Sequence, residues 1–138
     1  MEIRRISAGE TGALWALHTA YKREIGEDAP GDAERERLRE AIAAGRILFY
    51  CAWDGDVPVG CCSVTVGFST FSYAACGTFE DFYVLPERRH TGVARKLVEF
   101  ARADCGVGSL TVGCADCDVP MYRALGFTVP LGNLLAYD

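Results

Sequence analysis

No stretch of the chain approaches the roughly 20 consecutive apolar residues that a membrane-spanning helix needs. The opening Met-Glu-Ile-Arg-Arg leads into no apolar run of leader type either. The expectation is a cytoplasmic protein with no membrane role. Positive charge is also short: 14 Lys and Arg face 19 Asp and Glu, a net charge of −5, whereas gripping a nucleic-acid backbone needs a cationic surplus. A nucleic-acid partner is therefore not expected. Histidine is scarcer still. With only His18 and His90 to add, neither at ligand spacing, Cys114-x-x-Cys117 falls short of the roughly four ligands of a zinc site, and no metal is expected. A dithiol oxidoreductase would place such a pair where a helix opens after a first strand, and here it straddles a strand end near the C-terminus. The seven cysteines are an odd number, mostly in apolar or small-residue segments, which reads as reduced and largely buried thiols. Internal repeats, linkers and low-complexity segments are absent.

What is present is enough for one compact core. Half of the 138 residues are apolar, a length that supports a single domain spanning 1–138 and not two. Glu2 to Ile6 reads as a first strand, and Leu14, Leu17, Tyr21 and Ile25 then recur at helical spacing. A second helix is expected from a cap at Asp32 to Gly45, carrying a sparse apolar stripe of Leu38 and Ile42. Beyond Ile47 the period changes: "ILFYCAW" and "VGCCSVTVGF" read as strands joined through Asp54-Gly55. "FSTFSYAACG" has no period and is a candidate functional loop, and "TFEDFYVL" reads as a strand ending before Pro86. A helix opening near Thr91, a strand in "SLTVGC", a short helix closed by Gly126 and one or two final strands in "FTVPLGNLLAY" complete the order β-α-α-β-β-β-α-β-α-β. That alternation is a mixed α/β (α+β) domain built on a central sheet.

The densest chemistry lies in "RRHTGVARKL". A strand stops at Leu85, the chain turns through Pro-Glu-Arg-Arg, and a helix begins whose first N–H groups have no partner within it. Those amides and the helix dipole make an anion site. Gly92 lets backbone approach a phosphate, Ala94 stays small, and Arg88, Arg89, His90 and Arg95 can supply charge. Neither the P-loop pattern nor the three-glycine dinucleotide fingerprint is present. What remains is R-x-x-G-x-A, followed one helix and one strand later by Y-x-x-x-G-F from Tyr122 to Phe127.

Together these motifs resemble the GNAT superfamily of acetyl-CoA-dependent N-acetyltransferases, most closely from Thr78 to Phe127. Asp116 and Pro120 ahead of Tyr122 look like a subgroup of small members, whereas the usual family Asn, seven residues before that Tyr, is here Ala115. The resemblance implies a central mixed, mostly antiparallel sheet flanked by helices. It also implies a pyrophosphate loop from Arg89 through His90, Thr91, Gly92 and Val93 to Ala94, with the backbone of Phe82 and Val84 along the pantetheine arm. Coenzyme A is then the source of the anion, and the acceptor is a primary amine on a small molecule or peptide. A homodimer is compatible with this reading.

Transfer to an amine needs an acid for the leaving sulfur and a base for the amine. Tyr122 stands at the position of the family's acid. For the base, Glu80 and Asp81 are adjacent in a strand, so strict alternation sends them to opposite faces. Glu80 then shares the face of Phe82 and Val84, the parity at which family members carry an acid. Glu80 is the first candidate and Asp81 the second, and a strand bulge would exchange them. His18, beside Leu14, Leu17 and Tyr21, reads as a core-edge histidine. Phe68, Phe71 and Tyr73, with Trp15, Tyr21 and Glu24 of the first helix, are candidates for the acceptor wall. The rival reading is an acyl-CoA-binding or regulatory module of the same fold without turnover.

Overall fold

A computed structural model describes all 138 residues. Five strands form one sheet in chain order: β1 (Glu2–Arg5), β2 (Ile47–Asp54), β3 (Val57–Ser69), β4 (Ala74–Val84) and β5 (Ser109–Thr111). The first four pair antiparallel, and β5 alone runs parallel to β4. Four helices accompany them: α1 (Leu14–Glu24), α2 (Asp32–Ala43), α3 (Val93–Asp104) and α4 (Val119–Ala124). The architecture is the mixed, mostly antiparallel sheet flanked by helices that the motifs implied. No helix is long and apolar enough to cross a membrane.

Both faces of the sheet are covered, which explains why β2 reads as an unbroken apolar run instead of an alternation. Tyr50 and Ala52 of β2 join Cys62 and Val64 of β3 and Phe79 of β4 in the larger cluster, where Val93, Leu97, Val98 and Ala101 of α3 close the face. Phe49 and Cys51 point the other way, to Leu14 and Leu17 of α1 and Tyr83 of β4. Complete burial of a side chain such as Leu97 contributes about 1.5–3 kcal/mol. The apolar stripe of α3 therefore fixes the loop that precedes it.

Several boundaries differ from the sequence expectations. Gly9 and Gly12 weaken the first turns of the first helix, and Ala8–Ala13 tightens into a 3₁₀ turn before α1 begins. Gly31 takes the cap of α2, leaving Asp32 in the first turn, where negative charge still meets the helix dipole favourably. The expected loop in "FSTFSYAACG" is mostly strand, because β3 and β4 pair out to Ser69 and Ala74 and leave only residues 70–73 as the turn.

The final strands are a correction, since residues 127–138 contain none. Pro130 has no N–H for a ladder, Gly132 sits at φ +91°, and the neighbouring edge, β5, is three residues long. Phe127 still packs on the larger core, whereas Leu134, Leu135 and Tyr137 are exposed.

β5 can approach β4 closely because Gly77 has no side chain. A Cβ there would lie 2.6 Å from Val64 Cγ1 and 3.3 Å from both Leu110 Cδ1 and Val107 Cγ1. Overpacking of this kind costs about 1–3 kcal/mol. Gly77→Ala is expected to lose stability on that scale in urea unfolding, and an unchanged midpoint would contradict the tightness of this junction.

Candidate active site

β4 and β5 pair only from Cys76 to Thr78 against Ser109 to Thr111. Past that point β4 continues to Val84 with no partner on the β5 side, so a cleft opens between the two chains. At its far end the chain leaves β4, makes a 3₁₀ turn at Pro86–Arg88 and enters α3. His90 (φ +63°) and Gly92 (φ +92°) both take left-handed backbone, and nothing lies within 4 Å of where a Cβ on Gly92 would be. Lys96 is the first residue of α3 whose N–H reaches back to the Gly92 carbonyl. The amides ahead of it make the concave donor cluster that suits a phosphate.

The arginines around this cluster have protein partners. Arg88 pairs with Asp54 at 2.6 Å. Arg89 donates from Nε to the Val84 carbonyl (2.9 Å) and from Nη2 to both oxygens of Glu24 (2.8 and 3.1 Å), with its guanidinium over the Tyr83 ring. Arg95 Nη2 donates to the Ala124 carbonyl at 2.7 Å. These contacts tie the loop to α1, to β4 and to the end of α4. Charge at the anion site therefore comes chiefly from oriented amides and the dipole of α3.

In mid-strand, β4 carries a bulge. Cys61 pairs with Tyr83 and Ser63 with Glu80, so three steps of β4 oppose two of β3. Asp81 supplies the extra residue in left-handed backbone at φ +52°, a conformation that costs on the order of 1–3 kcal/mol for a non-glycine residue. Beyond the bulge the alternation is reset. Phe79, Phe82 and Val84 share the α3 side, and Asp81 and Tyr83 turn toward α1. Ser63 Oγ donates to Asp81 Oδ2 at 2.6 Å, and His18 Nε2 of α1 lies 3.5 Å from Asp81 Oδ1. His18 also packs against Phe49 and stacks on Tyr21. Asp81 and His18 line a cavity of about 390 Å³ between the sheet and the first two helices, with Trp15, Lys22 and Leu38 in its wall.

Tyr122 stands on the other side of the bulge. Pro120 sits in the first turn of α4 and Gly126 (φ +111°) follows its end, so the helix is short and its direction is set. The ring lies 6.1 Å from Phe82 and 5.8 Å from Phe127, centroid to centroid. Its hydroxyl has no protein hydrogen-bond partner. Burial, with Asp118, Cys114 and Tyr21 adding to it, pushes the phenol up to about 12. Near neutral pH it holds its proton.

A profile of the acetyltransferase (GNAT) domain matches residues 45–129, a span holding the bulged strand, the amide cluster and Tyr122. The chain belongs to the GNAT acetyltransferase family. Solved structures share the GNAT fold along the whole chain. Glucosamine-6-phosphate N-acetyltransferase from Arabidopsis thaliana superposes with a TM-score of 0.78 at 17% identity, covering 99% of this chain and 97% of its own. An aminoglycoside acetyltransferase from an uncultured soil metagenomic sample, in complex with sisomicin, gives 0.83 at 16% identity, with 99% and 94% covered. An acetyltransferase of Trypanosoma brucei gives 0.72 at 20% identity, with 99% and 98% covered. No curated protein matches the chain by sequence.

Phe82 faces Tyr122 on the α3 side, whereas Asp81 turns to the α1 side, where Glu80 also lies near enough to Tyr21 for its charge to add to burial in raising that phenol. Glu80 is exposed, has no ion-pair partner and does not line the cavity. The strict alternation that would have placed it with Phe82 and Val84 is broken by the bulge, and Phe79 takes that face. Phe68, Phe71 and Tyr73 are exposed at the hairpin tip and do not line this cavity. Of the α1 candidates, Trp15 lines it, Tyr21 supports His18, and Glu24 clamps Arg89. His18 and Ser63 went unrecognised as site residues. For His18 a signal existed, because Trp15, His18 and Lys22 follow helical spacing and bring polar groups to one stripe.

Burial alone would raise the Asp81 carboxyl, but hydrogen bonds to His18 and Ser63 and the charges of His18 and Lys22 outweigh it and hold the group below its ordinary 3.8. A folded value under the unfolded one means that the stabilisation is complete above the unfolded value and is lost as pH falls through the folded one. The stability of the wild type relative to Asp81→Asn is therefore expected to fall as pH drops below about 4. Urea unfolding across that range checks it, and a difference that holds constant or moves in favour of the wild type would contradict the assignment.

Proposed function

We propose that this protein transfers the acetyl group of acetyl-CoA directly to a primary amine of a small molecule. The observation that carries the reading is the bulge, which sets Asp81 on one side of β4 and Phe82, facing Tyr122, on the other, beside the cleft where β4 leaves β5. Acetyl-CoA fits the features present: amides from His90 to Ala94 for its pyrophosphate, with Thr91 and Val93 in that turn, and the unpaired β4 edge at Phe82 and Val84 for its pantetheine arm. Arg89 acts there by holding the loop to Glu24 and Val84. The acceptor enters from the α1 side, through the cavity. Asp81 attracts it as an ammonium; after that nitrogen has lost one proton to solvent its lone pair attacks the acetyl carbon, and Asp81 takes the second proton, which turns strongly acidic as the N–C bond forms. Tyr122 delivers its proton to the departing sulfur.

Direct transfer suits the thiols as well. Cys61 and Cys62 are pushed well above their ordinary value by burial first and by neighbouring thiols and Asp81 second. Neither offers a thiolate to carry the acetyl group.

Tyr122→Phe is expected to slow turnover roughly 10²–10⁴-fold with coenzyme A affinity intact. Near-normal turnover with stability unchanged, since the hydroxyl has no protein partner to lose, would reduce the residue to a packing role. Asp81→Asn is expected to lose activity on a similar scale and Glu80→Gln less than twofold; the opposite ranking would return the base to Glu80.

The loop has its own test. In Thr91→Glu the new carboxylate suits the start of α3, so melting of the ligand-free protein should hold or rise, while coenzyme A binding weakens about tenfold or more through like charge. Unchanged calorimetric affinity would contradict the phosphate loop.

A further inference from the structure

The acceptor cavity is acidic beyond what proton transfer needs. Glu27, Asp28, Glu34 and Asp81 line it, against a single ammonium, Lys22. Lys22 is already committed to Glu27 at 3.0 Å. Asp28 has no ion-pair partner, and Glu34 has only the exposed Arg37 at 3.8 Å. Arg35 and Arg39 lie over the Trp15 ring, and Arg39 is held by Glu36 and Thr11. Asp28, on the segment joining α1 to α2, and Glu34, in the first turn of α2, are thus left without a close cation. The form of the cavity adds to its charge: Trp15, Leu38 and Phe49 give it apolar wall beside the carboxylates, and His18 of the same wall, 8% exposed, sets its Nε2 3.5 Å from Asp81.

We infer that the acceptor is a small molecule with at least two ammonium groups, one presented to Asp81 and the other held at the cavity mouth by Asp28 and Glu34. This rests on the acetyltransferase reading above. A cleft lined by one sign of charge focuses its field and concentrates ligands of the opposite sign. Its volume of about 390 Å³ falls at the small end of ligand sites, which span about 300–1,000 Å³, and so suits an aliphatic diamine or one ring of an amino sugar. The same charge rejects an amino sugar phosphate. Both acceptors named among the structural neighbours are amino sugars, and the cavity's charge favours the cationic kind.

The test uses the full chain with acetyl-CoA and four acceptors: 1,4-diaminobutane, 1-aminobutane, kanamycin and glucosamine 6-phosphate. Products are read by mass spectrometry, since dyes for free thiol would also report the seven cysteines. The expected result is a kcat/KM for 1,4-diaminobutane or kanamycin roughly 5- to 10-fold or more above that for 1-aminobutane, falling as salt is raised. Whichever dication leads tells the aliphatic from the amino-sugar source. In Asp28→Asn/Glu34→Gln the ratio should collapse to within about twofold, through KM. A ratio near one in the wild type, a preference that survives in the variant, or glucosamine 6-phosphate as the best acceptor overturns the inference.

Calorimetry with 1,4-diaminobutane on the coenzyme A complex separates this from the parent reading. Diamine binding that the double variant abolishes, with no amine acetylated, would keep the dication site and defeat the transferase. Acetylation of 1-aminobutane without diamine preference would do the reverse.

Discussion

One extra residue in β4 decides which way Asp81, Phe82 and Val84 point. Without it, Asp81 would share a face with Phe79, in the apolar layer beneath α3, where a carboxylate would lack partners and be costly. The bulge turns Asp81 to the α1 side and restores Phe82 and Val84 to the α3 side. A strained backbone at φ +52° persists only if its surroundings over-determine it. They do so here through the 2.6 Å bond from Ser63 and the nearby imidazole of His18, each on a different element.

A second break in regularity acts with the first. The sheet would be an ordinary one if β5 followed β4 to its end, but β5 stops at Thr111 after three pairs. Its early close approach depends on Gly77 and its departure opens the edge that a pantetheine-like chain could add to. Arg95 bonds α3 to the end of α4, and Arg89 bonds the same loop to α1 and β4. The loop, α1 and the end of α4 are thereby cross-tied through α3 and β4.

How much of this could be read from the residues follows from the range of each interaction. The sheet and α3 were legible because their signals are local: apolar runs, a turn at Asp54-Gly55 and a strong stripe on one helix. The family followed from two short motifs at fixed spacing. Which way Glu80 and Asp81 face was not legible, because it depends on how β4 registers against β3, and strict alternation leaves out the bulge. The protein partners of the basic cluster were hidden for a related reason. Arg88, Arg89 and Arg95 look like anion ligands in one dimension, yet Asp54, Glu24 and the Ala124 carbonyl, 34, 65 and 29 residues away, take them up. The tail shows the limit from the other side: "FTVPLGNLLAY" has strand composition, but a strand also needs an edge long enough to pair with.

His18 is the residue where packing and chemistry are hardest to separate. Its contacts with Phe49, Tyr21 and Trp15 are those of a core histidine, and on them alone the bland reading would stand. Two facts go beyond packing. Its Nε2 faces a carboxylate whose charge the fold preserves despite burial, and its Nδ1 is left unpaired in a cavity wall. A purely structural imidazole gains by satisfying both nitrogens, since an orphaned buried group costs on the order of 1–3 kcal/mol. That cost, together with the backbone strain at Asp81, falls on two adjacent residues of one cavity. Both lie in the wall of the cavity that we propose receives the acceptor's nitrogen.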